Sequence, residues 1–521
     1  MIERSNQGIS QGQANMSRRR ARGRNATADQ LVKPQAGQLF NPYQPVEALG
    51  SEALDLIHDG SMRILEEIGL EVLNERALGL YEQDGARVDW DLQRVYLDRE
   101  KLMPRLATVP SHFTMHSRNP ARNRLVGKNA VNFTTVASAP NSSDMEGGRR
   151  TGNFEDYCNF MRLAQSYDVI DFLSGYPVEP IDIHPETRHL DATLAALTLT
   201  DRAFSLYCLG GGRVNDGIEM TAIARGVDRE TLKSEPSIIT VVNTNSPLRV
   251  DGSMLDGLIE MAENGQPTIV TPFTLSGAMC PITIAGALAQ QNAEALGVIA
   301  LSQMVNPGAP MVYGGFTSNA DMRSGAPAFG TPEYTRAAWA TGQLTRRYNL
   351  PFRSSNTNAS NCVDAQAAWE SQMSLWGAVM GHAHIVKHAA GWLEGGLCAS
   401  FEKFIIDIDM LQMMAETLKP LQVDESTLAL DAIVEAGHGG HFFGTAHTMA
   451  NYTTAFYEPL VSDWSNFETW QENGEQTAYQ RANRIYRQTL EDFEEPEMAA
   501  TVRESLEQYA RERRREVELA R

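Results

Sequence analysis

From about residue 130 to residue 417, short runs of β-branched and aromatic residues alternate with longer amphipathic stretches. The runs fall at 131–136, 169–173, 203–209, 237–242, 268–273, 310–313, 351–354 and 384–388. Helical periodicity marks 185–198, 252–264, 282–304, 331–347, 364–380 and, after the last run, 401–417. Eight strand-like runs, each followed by a helix-length segment, predict an α/β chain built on a closed parallel (β/α)8 TIM barrel over residues 129–420. An open doubly wound sheet is the alternative. It calls for a glycine-rich phosphate loop after its first strand, and Ala137-Ser138-Ala139-Pro140 is not one. Gly210-Gly211-Gly212, after the third run, reads as a tight turn.

The flanks lack this rhythm. Residues 1–45 carry no hydrophobic period and read as a flexible N-terminal arm. In 51–69, Leu54, Ile57, Met62, Ile64, Leu65 and Ile68 fall largely on one helical face. That helix opens an N-terminal helical and mixed cap over 46–128. After 420 the alternation stops, and 421–521 reads as a C-terminal helical extension. Its last two helices are long and charged and end in Arg511-Glu512-Arg513-Arg514-Arg515-Glu516, which suggests a solvated or intersubunit element. Arm and charged helices together point to a homo-oligomer.

Charge then narrows the partners. Forty-five basic against 65 acidic residues give a net charge of −20, which argues against nucleic-acid binding through the surface as a whole. The basic run Ser17-Arg18-Arg19-Arg20-Ala21-Arg22-Gly23-Arg24 has no apolar segment after it, so it reads as part of the arm rather than an export signal. The five cysteines, Cys158, Cys208, Cys280, Cys362 and Cys398, are odd in number and form no Cys-x-x-Cys. A reduced, cytoplasmic protein is expected. No apolar run approaches the roughly 20 residues of a membrane span.

In a barrel the chemistry sits in the loops at the carboxyl ends of the strands. Those loops contain Asn243-Thr244-Asn245, Phe273-Thr274-Leu275, Gly315-Phe316-Thr317, Asp321 with Arg323, Asn356 to Asp364, and His388 to Glu394. The stretch 356–364 is polar and uncharged and opens a helix at Asp364. No metal-ligand cluster, phosphate loop or Ser-His-Asp pattern occurs, and no metal is expected. Such a lining suits a small organic substrate, with Asn243 and Asn356 as polar contacts. Phe273, Tyr313, Phe316 and Trp392 could offer ring faces to a quaternary ammonium. Phe273 and Tyr313 also fit as core residues at strand ends. Arg323 or Arg353 could grip a substrate carboxylate, or either could serve a structural ion pair. On the eighth run, residues 384, 386 and 388 share a face, which puts His388 at the mouth as the candidate functional histidine, with Glu394 as its partner. His438, His441 and His447 do not match a standard zinc spacing and read as a structural loop.

Several of these segments together resemble the trimethylamine methyltransferase family. They are Val312-Tyr313-Gly314-Gly315, Asp321-Met322-Arg323-Ser324-Gly325-Ala326, Gly330-Thr331-Pro332-Glu333, Tyr348-Asn349-Leu350-Pro351, Asp364-Ala365-Gln366-Ala367 and Leu393-Glu394-Gly395-Gly396. Gly437-His438-Gly439-Gly440-His441-Phe442, followed by His447-Thr448, belongs to the same pattern, and the resemblance spans roughly 50–490. It implies a barrel enzyme that passes a methyl group from a methylamine to a cobalt corrinoid carried by a small separate protein. Archaeal members carry pyrrolysine in the loop before the Asp-Ala-Gln-Ala segment. Here Asn361 and Cys362 occupy that place, so the chain resembles the non-pyrrolysine branch, some members of which demethylate betaine-type amines.

That branch makes chemical sense. A quaternary ammonium leaves as a neutral amine, whereas a neutral tertiary amine leaves as an amide anion unless it is activated. The resemblance therefore implies methyl transfer from a betaine-like quaternary amine to a corrinoid protein. Asn243, Phe273, Tyr313, Phe316, Arg323, Asn356, Trp392 and Glu394 are expected to bind substrate, and His388, Asn361 and Cys362 to mark the catalytic region. The rivals are another barrel enzyme, a pterin-dependent methyltransferase or a lyase, and a non-catalytic betaine-binding barrel.

Overall fold

Strand alternation governs how the barrel is built and which end of it stays open. A computed structural model describes residues 37–519. The basic run and most of the expected arm lie outside the described residues. Parallel strands Ala130–Thr135, Phe204–Tyr207, Ile238–Thr244, Thr268–Pro272, Met311–Gly314, Phe352–Ser355 and Ile385–Ala390 follow one another around the ring, and the last pairs with the first. The second position is a two-residue bridge, Phe172 to Thr134 and Leu173 to Phe204, which closes the barrel. The expected run at 169–173 shortens for a visible reason. The Asp171 carboxylate, held by Arg124 at 2.5 Å, accepts the Phe133 N–H at 2.8 Å where a strand carbonyl would otherwise serve. The closed ring excludes the open-sheet alternative.

Each position is followed by a helix: Phe154–Ser166, Arg188–Leu199, Gly211–Arg225, Gly252–Glu263, Ile284–Val305, Pro332–Arg347, Ala365–Met380 and Phe401–Thr417. Several start where the sequence supplies a cap. Asn153, Thr331, Asp364 and Ser400 each accept a backbone N–H of the first turn on their side-chain oxygen. The glycine run at 210–212 does more than turn. Gly210, at φ +88°, is the N-cap of the helix Gly211–Arg225.

The helix Ile284–Val305 is buried on nearly every side between the barrel and the cap helix Ser51–Arg63. Cap and barrel therefore share one apolar core, in which Met62, Leu65 and Leu70 join Leu296, Ile299 and Tyr313. The hairpin His112–Met115 with Arg124–Gly127 plugs the amino-terminal end of the barrel. Its Phe113, Met115 and Val126 pack against Phe172, Ala203, Ile239, Ile269, Val312 and Ile385. The carboxyl end is the open one.

The terminal helices are not free. Ala478–Glu491 lies on Phe401–Thr417, with Tyr486 stacked on Phe401 at 5.2 Å. Ala500–Leu519 lies against Arg188–Leu199 and Gly211–Arg225, where Arg513 Nε meets Asp216 at 2.7 Å and Leu506 and Ala510 are buried. One face of each terminal helix thus packs on its own barrel, and the other face is exposed. Large apolar side chains are exposed on 421–467, among them Leu421, Val434, Phe443 and Phe456. Among the described residues, no helix is long and apolar enough to cross a membrane.

One histidine sets a pH limit on this fold. His384 Nδ1 accepts the Phe352 N–H at 2.8 Å and Nε2 donates to the Lys128 carbonyl at 2.8 Å. Burial pushes its pKa down to about 4. Between that value and the ordinary 6.5 the unfolded chain binds a proton that the native ring refuses. The stabilisation is therefore complete above pH 6.5 and is lost as pH falls toward 4, to an extent of roughly 3 kcal/mol. Denaturant melts at pH 7 and pH 4.5 should show part of this loss in the native protein, and less of it in His384→Gln.

Candidate active site

Following the pairing register sorts the barrel's inward side chains into layers drawn from alternate strands. Phe172, Ile239, Val312 and Ile385 form the apolar floor. Above it come Thr134, Ser205, Ile269 and Arg353, then Ser174, Val241, Gly314 and Lys387. The next level holds Tyr207, Thr271 and Ser355, and the mouth holds Tyr176, Asn243 and Phe316. Only glycine fits at 314, since a Cβ there would lie 2.1 Å from Thr271 Oγ1 of the neighbouring strand.

The two cations just above the floor are the unexpected feature. Arg353 is 3% exposed and Lys387 4% exposed. Arg353 Nε and Nη1 have no hydrogen-bond partner, and its Cζ stands 5.0 Å from the Phe316 ring centre. Burial lowers the Arg353 pKa to about 10. Lys387 Nζ donates to the Ser174 carbonyl at 3.1 Å. Burial first, and Arg353 second, hold its pKa well below the usual lysine range.

Around the mouth stand two aromatic walls. On one side Phe316 lies 5.3 Å from Phe273, 5.5 Å from Phe329, 6.3 Å from Tyr334 and 6.4 Å from Trp392. His388 lies tilted against Trp392, with ring centres 4.4 Å apart, and meets Phe316 at 6.0 Å. On the other side Tyr176 and Tyr207 sit 4.3 Å apart. Tyr207 Oη donates to Glu179 and lies 3.0 Å from Ser138 Oγ. Burial raises the Glu179 pKa, although the carboxylate also has Arg188 at 3.6 Å.

The polar loop 356–364 turns out to be scaffolding for the Trp392 wall. Asn356 Nδ2 donates to the Ala389 carbonyl at 2.9 Å. Asn358 Nδ2 donates to the Trp392 carbonyl at 2.6 Å, and Trp392 Nε1 returns a bond to the Asn358 carbonyl at 3.0 Å. Buried amides can do this without the desolvation cost that charged groups would carry.

Several expected site residues stand elsewhere. Tyr313 follows Val312 of the floor, so alternation turns it out of the barrel. Its hydroxyl donates to Asn292 at 3.2 Å in the helix Ile284–Val305. Arg323 is exposed on a loop turn capped by Asp321, so the arginine inside the barrel is Arg353. Glu394 pairs with Arg149 at 2.9 Å rather than with His388. Asn361 and Cys362 are exposed on the rim, and Asp364 together with desolvation raises the Cys362 thiol pKa.

The parity assumed for the eighth strand also changes. Ile385 and Lys387 point inward and Val386 outward. His388 enters the mouth because the strand bulges there, with φ +56° and a register slip between Val386 and Ala390. Its Nδ1 is buried without a partner. Burial, then Arg353 and Lys387, push its pKa well below the ordinary value, so the ring is neutral. Asn243 is exposed at the mouth, Phe273 and Phe316 stand in one wall, and Asn356 lies behind it. Lys387, Phe329, Tyr334, Tyr176, Tyr207 and Glu179 were not singled out from sequence. Strand arithmetic from Ile385 would have found Lys387. His438, His441 and His447 are exposed, and among the described residues no group of three or more His, Cys, Asp or Glu could hold a metal.

Comparison with known proteins places this arrangement. The family model described as trimethylamine methyltransferase matches residues 16–518. The chain is 36% identical over 482 residues to glycine betaine methyltransferase of Desulfitobacterium hafniense, covering 92% of this chain and 99% of that protein. It is 29% identical over 465 residues to a trimethylamine methyltransferase of Desulfitobacterium hafniense, covering 88% and 92%. It is also 26% identical over 401 residues to proline betaine:corrinoid methyltransferase of Eubacterium limosum, covering 75% and 81%.

Proposed function

Because this chain belongs to the trimethylamine methyltransferase family, we propose that it moves a methyl group from a quaternary ammonium compound to the cobalt of a corrinoid carried by a separate protein. The observation that carries this reading is a barrel mouth walled by rings. Phe316, Trp392 and His388 on one side, and Tyr176 and Tyr207 on the other, offer faces to a trimethylammonium head. Burial holds the His388 pKa well below its ordinary value, and Asp364 raises that of the Cys362 thiol on the rim.

The chemistry needs no more. The methyl carbon passes in line from nitrogen to cobalt(I). The C–N electron pair stays on nitrogen, which leaves as a neutral tertiary amine, and cobalt goes formally from +1 to +3. No proton moves. The protein's task is to hold the ammonium with one methyl facing the mouth and to keep water from the nucleophile. The corrinoid enters as the methyl acceptor on its own carrier. The rim suits such a carrier, because Met145, Leu209, Ile282, Met322 and Leu397 are exposed on loops around the mouth. The relatives named for glycine betaine and for proline betaine:corrinoid transfer agree with this reading.

The test uses an N-trideuteriomethyl quaternary amine, chemically reduced cobalamin and the full-length protein. One deuterated methylcobalamin should appear for each dealkylated amine. Binding without cobalt methylation would leave a betaine-binding barrel. Methylation of an added reduced pterin instead would move the protein to the pterin class.

A further inference from the structure

Arg353 and Lys387 lie two layers deep in the barrel, and among the described residues no carboxylate pairs with either. Two further groups beside them, the hydroxyls of Ser355 and Thr271, are also buried without a partner. Ser355 is the register partner of Lys387, and Gly314 is the register partner of Arg353. The two cations can only donate, the two hydroxyls can donate, and no acceptor meets Arg353 Nε or Nη1. A buried guanidinium without a counter-ion is costly to the fold, and its persistence here calls for an anion that comes and goes.

We infer that the substrate is a zwitterion whose carboxylate is gripped by Arg353 and Lys387 beneath the aromatic walls. This rests on the methyl-transfer reading for the identity of the cationic pole. The guanidinium fork takes a carboxylate in two bonds, and the Ser355 hydroxyl completes the site. The ammonium then lies one level higher, between Phe316 and Tyr207, with Glu179 on the far wall. The barrel is thus positive at depth and negative at the rim, and it orients a betaine with its carboxylate inward and its methyl groups at the mouth. A substrate with a neutral or absent second pole leaves Arg353 unpaired and binds poorly.

Calorimetric binding of glycine betaine, choline and tetramethylammonium to the full-length protein tests this. The wild type should bind glycine betaine at least about 30-fold more tightly than choline. Arg353→Met should lower betaine affinity by about 30-fold or more and leave choline and tetramethylammonium unchanged or tighter. Lys387→Met should act in the same direction. The ligand-free Arg353→Met protein should melt no lower than the wild type, since an unpaired buried charge is removed, whereas a merely structural arginine would melt lower. Equal binding of choline and betaine, no betaine binding, or unaltered betaine binding in both variants would each overturn the inference. Cobalt methylated equally well from choline would sink the clamp and leave the methyl-transfer reading standing. Arg353-dependent betaine binding with no cobalt methylation would do the reverse.

Discussion

Replacing Lys403 by methionine should cost the fold about 3–5 kcal/mol and take most of the methyl-transfer activity with it. Lys403 and Asp407, one turn apart on Phe401–Thr417, form an ion pair that is 1% and 0% exposed. Lys403 Nζ also donates to Ser371 Oγ at 2.9 Å, and Ser371 Oγ receives Asn358 Nδ2 at 3.2 Å. Asp407 Oδ2 accepts the Gly391 N–H at 2.8 Å. The pair therefore anchors both strands of the loop that presents His388 and Trp392. With Lys403 gone, Asp407 is a buried charge without compensation, and burial already pushes its pKa up. The double replacement Lys403→Met with Asp407→Leu should recover much of the stability, because an apolar pair of similar volume avoids the desolvation cost. It should not recover the activity, because Gly391 stays unanchored. Thermal melts and initial rates on the three variants separate the two roles. A single variant as stable and active as the wild type would refute the anchor.

The second large effect belongs to Phe316. Its ring touches five neighbours of the wall and carries Arg353 over its face. Phe316→Ala should lose about 3–5 kcal/mol of stability from the cavity alone. Phe316→Leu keeps most of the volume and should cost under about 1.5 kcal/mol. It nevertheless removes the ring face that attracts a desolvated ammonium, a contribution of about 2 kcal/mol. Leucine should thus lower kcat/KM roughly 30-fold while the melting temperature barely moves. If both variants lose activity only in proportion to stability, Phe316 is core and not wall.

The barrel was legible because its signal is periodic and repeated eight times, so a weak strand such as 169–173 was carried by its neighbours. The aromatic wall was legible in part for the same reason, since Phe273, Phe316 and Trp392 follow strand ends. Parity was harder. Tyr313 and His388 each depend on one alternation, and the bulge at His388 breaks it in a way that no local pattern announces. Lys387 sits beside His388 in a strand of Ile, Val and Ala, where composition gives no hint of what it faces. Arg323 and Arg353 are equivalent in sequence, and only the closed ring makes one buried and the other exposed. The packed face of the terminal helices was hidden because Arg513 and Arg514 find Asp216 and Asp191 far away in the chain.

The central claim is the leaving group. Its most direct test is an absorbance assay in which reduced cob(I)alamin and the full-length protein meet a panel of quaternary and tertiary methylamines at equal concentration. The expected result is growth of the methylcobalamin spectrum with glycine betaine and none with trimethylamine. Methylcobalamin formed as readily from trimethylamine would contradict it, because the barrel would then be activating a neutral amine and the leaving group would not set the choice of substrate.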